Sequence, residues 1–253
     1  MSEERGVWLY AVAREAGGGG QRGVAGEAVR TVAAGGLVAV VGDVPLDAFG
    51  EQALHRNLED LDWLGAVARA HDAVIGAVAR TGPVVPIRLA TVYHDDDGVR
   101  GVLEERAEEF GRTLDRVAGR TEWGVKAFVD VPPPVPRTEE APSRRGAGAA
   151  YLARRRAERD TQAEAERLAV EQAGKVHFRL TGLATAARTH PPQSRELSGH
   201  GGQMVLNAAY LVDDDRSRAF AEAVAACDQD SPAVRVQLTG PWPPYSFADW
   251  EDR

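Results

Sequence analysis

Residues 132–146 read PPPVPRTEEAPSRRG, and no other stretch so narrows what this chain can fold into. Proline has no N–H to give a ladder and breaks helices, so the segment cannot join a regular element. Apart from Val135 it carries no large apolar side chain, so it cannot bury enough surface to order itself. It reads as a charged linker, semi-rigid at its start. The expected organisation is therefore a first domain over 1–131, the linker over 132–146 and a second domain over 147–253. A chain of 253 residues exceeds a typical single domain, and with 43% hydrophobic residues it can fill two cores.

The first half alternates strand and helix signals. Residues 6–13 (GVWLYAVA) form a β-rich apolar run, suited to a central strand. A glycine-rich loop follows over 17–23, then a short, glycine-flanked helix is expected over 25–34. Residues 37–41 (LVAVV) read as a second strand. From 51 to 80, Leu54, Leu58, Leu61, Leu64, Val67 and Ala68 recur near helical spacing. A short extended element follows a Gly-Pro break at 83–89, and an acidic start at Asp95, Asp96 and Asp97 opens an amphipathic helix over 99–117. Residues 123–131 complete the set as a strand. This order predicts an α+β fold, the first domain a ferredoxin-like α/β sandwich. The second is predicted as an α+β domain with a long Ala/Arg/Glu-rich helix from 147 to about 188, kinked at Gly174. A strand over 203–212, a helix over 217–227 and a strand over 233–238 follow.

The final segment is expected to be ordered. After the strand, Gly240 and Pro241 should stop the ladder, and Pro243 and Pro244 should hold an extended backbone. Trp242, Tyr245 and Phe247 are large apolar surfaces that a disposable tail would not carry. They should pack on the chain's own core or face a partner.

Catalytic and cofactor patterns are sparse. Gly18, Gly20 and Gly23 match the spacing of a dinucleotide fingerprint, with Asp43 about twenty residues on. Four residues separate the strand from the loop, however, so a flexible crossover loop is the favoured reading; a nucleotide-dependent enzyme is the alternative. No phosphate-loop triplet, nucleophile elbow or metal-ligand spacing is present in the sequence. His94 beside three aspartates is better read as a helix cap than a cation site. His71 and Asp72 read as polar helix residues. Arg88 stands alone in an apolar run (VVPIRLAT), so a buried ion pair is expected there. Arg144, Arg145, Arg154, Arg155 and Arg156 form a basic patch diluted by glutamates. The expectation is no enzyme activity, no cofactor and no metal.

A formal net charge of -8 argues against nucleic acid and against anionic membrane as partners. The amino-terminal MSEER lacks the pattern of a signal peptide, and the lone Cys227 excludes an internal disulfide framework, so a cytoplasmic setting is expected.

Several segments in order carry a resemblance: VWLYAV at 7–12, Leu64 with HDAVI at 71–75, GPVVPIRLAT at 82–91, EWGVK at 122–126, GAAYL at 148–152, NAAYLV at 207–212 and GPWPPYSF at 240–247. Together they resemble the gas vesicle GvpF/GvpL family. The resemblance implies a non-enzymatic accessory or minor structural component of gas vesicles, built as two α+β domains. It implies binding of the hydrophobic shell subunit and of other gas vesicle accessory proteins, limiting aggregation and aiding early assembly. A plain cytoplasmic scaffold is the other non-enzymatic alternative. For the shell-subunit contact, Val85, Pro86, Ile87 and Arg88 are the expected residues, with Trp242, Pro243, Pro244, Tyr245 and Phe247 as a second set.

Overall fold

The computed structural model describes residues 4–15, 20–129, 147–194, 202–231 and 234–248. The chain divides into two compact units, Met1–Glu122 with Pro241–Arg253, and Trp123–Gly240. This differs from the division drawn at the proline run, which lies outside the described residues. A proline run interrupts secondary structure; it does not mark where packing contacts divide. The chain instead passes between units inside two strands, at Glu122/Trp123 and at Gly240/Pro241.

The first unit is built on β1 (Arg5–Ala13), β2 (Val29–Ala34), β3 (Leu37–Pro45), β4 (Val84–Pro86) and β5 (Val92–Tyr93). The sheet runs β2-β3-β1-β4, with β5 also on β1, and the β1, β2 and β3 pairings are antiparallel. That is the strand order of a ferredoxin-like sheet. After the glycine loop, however, the chain forms strand β2 where a helix was expected over 25–34. Val29, Thr31 and Val32 favour the pleated surface, and pairing with β3 outweighs the weak helical signal.

Helices cover both faces of this sheet. On one side lie α1 (Leu46–Phe49), α2 (Glu51–Asn57) and α3 (Leu61–Ala79), around Trp8, Tyr10, Ala11, Ala13, Val74 and Ile75. On the other lie α4 (Asp96–Glu105) and α5 (Ala107–Val117), around Val7, Leu9, Val12, Leu103, Phe110 and Leu114. Strand β1 is consequently buried on both faces, which explains its unbroken apolar run. Asp60 caps α3 by accepting from the N–H groups of Asp62 and Trp63, and Asp95 caps α4 through Gly98. The expected 99–117 helix is two helices, parted at Arg106, where φ is -111° and ψ is 18°.

The second unit holds most of β6 (Arg120–Val129), then α6 (Ala147–Thr181), β7 (Ala186–Thr189), β8 (Gln203–Asp213), α7 (Ser217–Asp230) and most of β9 (Arg235–Trp242). Its sheet runs β7-β8-β6-β9. The sequence β-α-β-β-α-β with this order is the complete ferredoxin-like motif. Ala169, Ala173, Val176 and Leu180 of α6 and Phe220, Val224 and Cys227 of α7 share one core with Val125, Ala127, Tyr210 and Val212. Helix α6 runs through Gly174 as one element and ends at Thr181, and 186–189 is strand rather than helix. Strand β9 continues through Gly240 and Pro241, where the ladder was expected to stop. It lies at the sheet edge, so Pro241 can forgo a ladder hydrogen bond, and Gly240 accepts the positive φ of 112°.

Candidate partner-binding surface

The segment 84–91 runs beside β1 in two pieces. Strand β4 pairs with Ala11, Val12 and Ala13, and β5 with Val7 and Trp8. Between them the N–H of Ile87 donates to the Tyr10 carbonyl at 2.9 Å, and that of Leu9 to the Thr91 carbonyl at 3.0 Å. The turn between is held by the Thr91 hydroxyl donating to the Arg88 carbonyl, with Ala90 at φ 67°, an unusual value for a residue with a Cβ.

This geometry corrects the expectation for the first set. Val85 and Ile87 are 1% and 0% exposed, and Pro86 is buried with them. Their side chains fill the sheet's own core and cannot meet a partner without opening it. Arg88 shows the reverse error: it lies just past β4 and is exposed, so no buried-charge argument applies.

Beneath the turn, His71 of α3 is 2% exposed. Its Nδ1 accepts from the Trp8 indole N–H at 3.0 Å, and its Nε2 lies 3.0 Å from the Ile87 carbonyl, which fixes the Nε2-protonated neutral form. Burial holds its pKa below the ordinary 6.5, against smaller upward effects of the Ile87 carbonyl and Asp72. In the sequence His71 reads only as a polar helix residue, because its pairing with Trp8, 63 positions away, leaves no local mark.

The tail reaches the next residue of the same helix. The Tyr245 hydroxyl donates to Asp72 Oδ1 at 2.5 Å. Ser246 donates from its N–H and its hydroxyl to the two oxygens of Glu122, at 2.8 and 2.7 Å. Arg116 donates to the Phe247 carbonyl, and Ala248 packs against the α4/α5 core. Glu122 is 6% exposed, a buried carboxylate whose two donors offset its desolvation. Burial and the Asp72 contact both push the Tyr245 phenol upward, so it is a neutral donor. The backbone is not extended: Pro244 has ψ 54°, and 245–247 turn as a 3-10 helix.

Within this tail the aromatics divide. Phe247 is 2% exposed and is the anchor, with Pro244 also buried. Trp242 is 51% and Tyr245 37% exposed, flanking the half-buried Pro243. The surviving surface is thus Trp242, Pro243 and Tyr245 from the tail, with Arg88 from the turn. Tyr245 and Ile87 are tied to adjacent residues of α3. The side chains of this surface are two aromatic rings, a half-buried proline and a guanidinium.

The glycine loop ends in a packed turn. Gly18 lies outside the described residues. At Gly23, and again at Gly42, an added Cβ would stand within 2.3 Å of the Glu27 carboxylate. Glu27 accepts from the Tyr10 hydroxyl at 2.5 Å and from the Ala25 N–H at 2.8 Å. A carboxylate occupies this turn and a strand follows it, so the helix N-terminus a pyrophosphate needs is not formed. Among the described residues no group of three metal-ligating side chains comes together, and no helix is long and apolar enough to cross a membrane.

Comparison with known proteins identifies the family. The family model described as gas vesicle synthesis protein GvpL/GvpF matches residues 6–249. Gas vesicle protein L of Streptomyces sp. (strain CB03234) is 46% identical over 98% of this chain and 94% of its own length. Gas vesicle protein F of the same strain is 28% identical over 87% of this chain and 88% of its own. The crystal structure of GvpF from Anabaena sp. PCC7120 superposes with a TM-score of 0.67 at 18% identity, covering 98% of both chains. These relatives are named as gas vesicle proteins, not as enzymes. The chain belongs to the GvpL/GvpF family of gas vesicle synthesis proteins.

Proposed function

We propose that this protein is a non-catalytic accessory factor of gas vesicles that binds the hydrophobic shell subunit and assists assembly. The observation that carries the reading is the family match over nearly the whole chain, 6–249. The higher identity to the L protein than to the F protein of one strain favours an L-type role. Physical chemistry supplies the reason for such a factor. A subunit apolar enough to line a gas space aggregates when free, and an acidic partner with an apolar docking ledge keeps the complex dispersed. The factor acts in the cytoplasm and at the growing vesicle, alongside other accessory proteins.

The docking surface is Trp242, Pro243 and Tyr245, with Arg88 orienting the partner through a carboxylate. Contact is mainly apolar, so it weakens little as salt rises. The test is co-expression with the shell subunit followed by sedimentation. The subunit stays in the supernatant with this protein and pellets without it. Equal pelleting in both cases overturns the reading.

A further inference from the structure

We propose that α6 is a self-association arm, pairing antiparallel with α6 of a second copy of this chain. The proposal stands apart from the shell-subunit reading. Only the carboxyl-terminal half of the 35-residue helix packs on its sheet, through Ala169, Ala173, Val176 and Leu180. Every described side chain from 151 to 168 is exposed except the half-exposed Glu166. A helix with no partner face is marginal in water, even when rich in Ala, Glu and Arg.

The arm carries a seam. Leu152, Arg156, Arg159, Ala163, Glu166 and Val170 recur at alternating spacings of four and three, the spacing that holds one stripe toward a partner helix. Leu152 is 66% and Val170 60% exposed. The stripe is self-complementary when reversed. About a two-fold axis near Thr161, Leu152 meets Val170 of the second copy, Arg156 meets Glu166, and Arg159 lays its stem on Ala163. The overlap spans about 27 Å at the helical rise.

The receiving end already has a shape. Ala163, Glu166 and Val170 line one wall of an open depression whose other side is Val129 and Val205. Leu152 of the second copy enters this apolar depression, and its Arg156 reaches the Glu166 carboxylate at the rim. Asp160 meets its own copy near the axis, flanking the seam, where solvent screens the repulsion.

Sedimentation equilibrium of the full chain tests the pairing, with circular dichroism as a fold check. The wild type shows a concentration-dependent monomer–dimer equilibrium. Leu152→Asp gives a monomer of unchanged helix content. Arg156→Glu and Glu166→Arg each raise the dimer dissociation constant about tenfold or more, and the double exchange brings it back toward the wild-type value. A wild type that is monomeric throughout overturns the proposal. A dimer unmoved by Leu152→Asp, or unrecovered in the double exchange, also overturns it.

Discussion

The two units share a strand order and differ in how they cover it. In each, the unit's first strand lies between its third and its fourth: β1 between β3 and β4, and β6 between β8 and β9. The second unit makes both crossovers with helices, α6 and α7, which meet in one core. Between its first two strands the first unit forms no helix among the described residues. It then places three helices between β3 and β4 on one face and α4 and α5 after β5 on the other, so two cores flank one sheet. A central strand enclosed on both sides must satisfy any polar group from within. There the first unit sets His71, between Trp8 and Ile87, and Glu27, under Tyr10. The second unit has helix to spare and extends it into solvent. Strand order therefore fixes neither which face is covered nor which surface is left for partners.

Core truncations give the largest effects. Phe110→Ala in the first unit and Phe220→Ala in the second each remove a ring that is 1% exposed and should cost about 3–5 kcal/mol. Hydrogen exchange should report each loss chiefly in its own unit. An equal response in both would break the comparison. Next, Glu122→Ala strands the Ser246 N–H and hydroxyl, at about 1–3 kcal/mol. Proteolysis should then clip the tail before either sheet; unchanged protection would deny Glu122 its anchoring role.

His71 makes the first unit sensitive to pH. Its folded pKa lies below the ordinary 6.5, so in the window beneath 6.5 the unfolded chain binds a proton that the folded one does not. Stability from this group is full above 6.5 and is lost as pH falls, by at most about 1.4 kcal/mol per pH unit. Melts from pH 7 to 5 should show the loss, and His71→Gln should flatten it. The smallest effect belongs to the arm's root. A Cβ at Gly174 meets nothing within 4 Å, so Gly174→Ala should stabilise the second unit by about 0.5–1 kcal/mol, read as a raised Tm.

Much of this was legible in the residues. The run at 6–13 announced a central strand and that at 203–212 a strand, and the acidic start at Asp95 fell where side-chain capping requires it, whereas the break at Asp60 inside the helical stretch 51–80 was not read. The ordered family segments, above all GPWPPYSF, pointed to the right family. The failures share a cause: a local signal met a non-local partner. Residues 25–34 have weak helical character, but β3 offers them a ladder. Val85 and Ile87 read as a partner surface because the sequence does not show which apolar strand is central. Arg88 read as buried because the turn at Ala90 that lifts it out has no sequence mark. Trp242 and Phe247 are both large aromatics, and only the turn after Pro244 decides which is anchor and which is ledge.

The proposed division of labour puts shell-subunit docking on the first unit and its tail and self-pairing on α6. The most direct measurement is capture of the shell subunit by three versions of the full chain. Trp242→Ala combined with Arg88→Ala should lower capture about tenfold or more, while Leu152→Asp should leave capture per chain unchanged. Capture lost with Leu152→Asp and kept with the Trp242 and Arg88 pair would contradict the account.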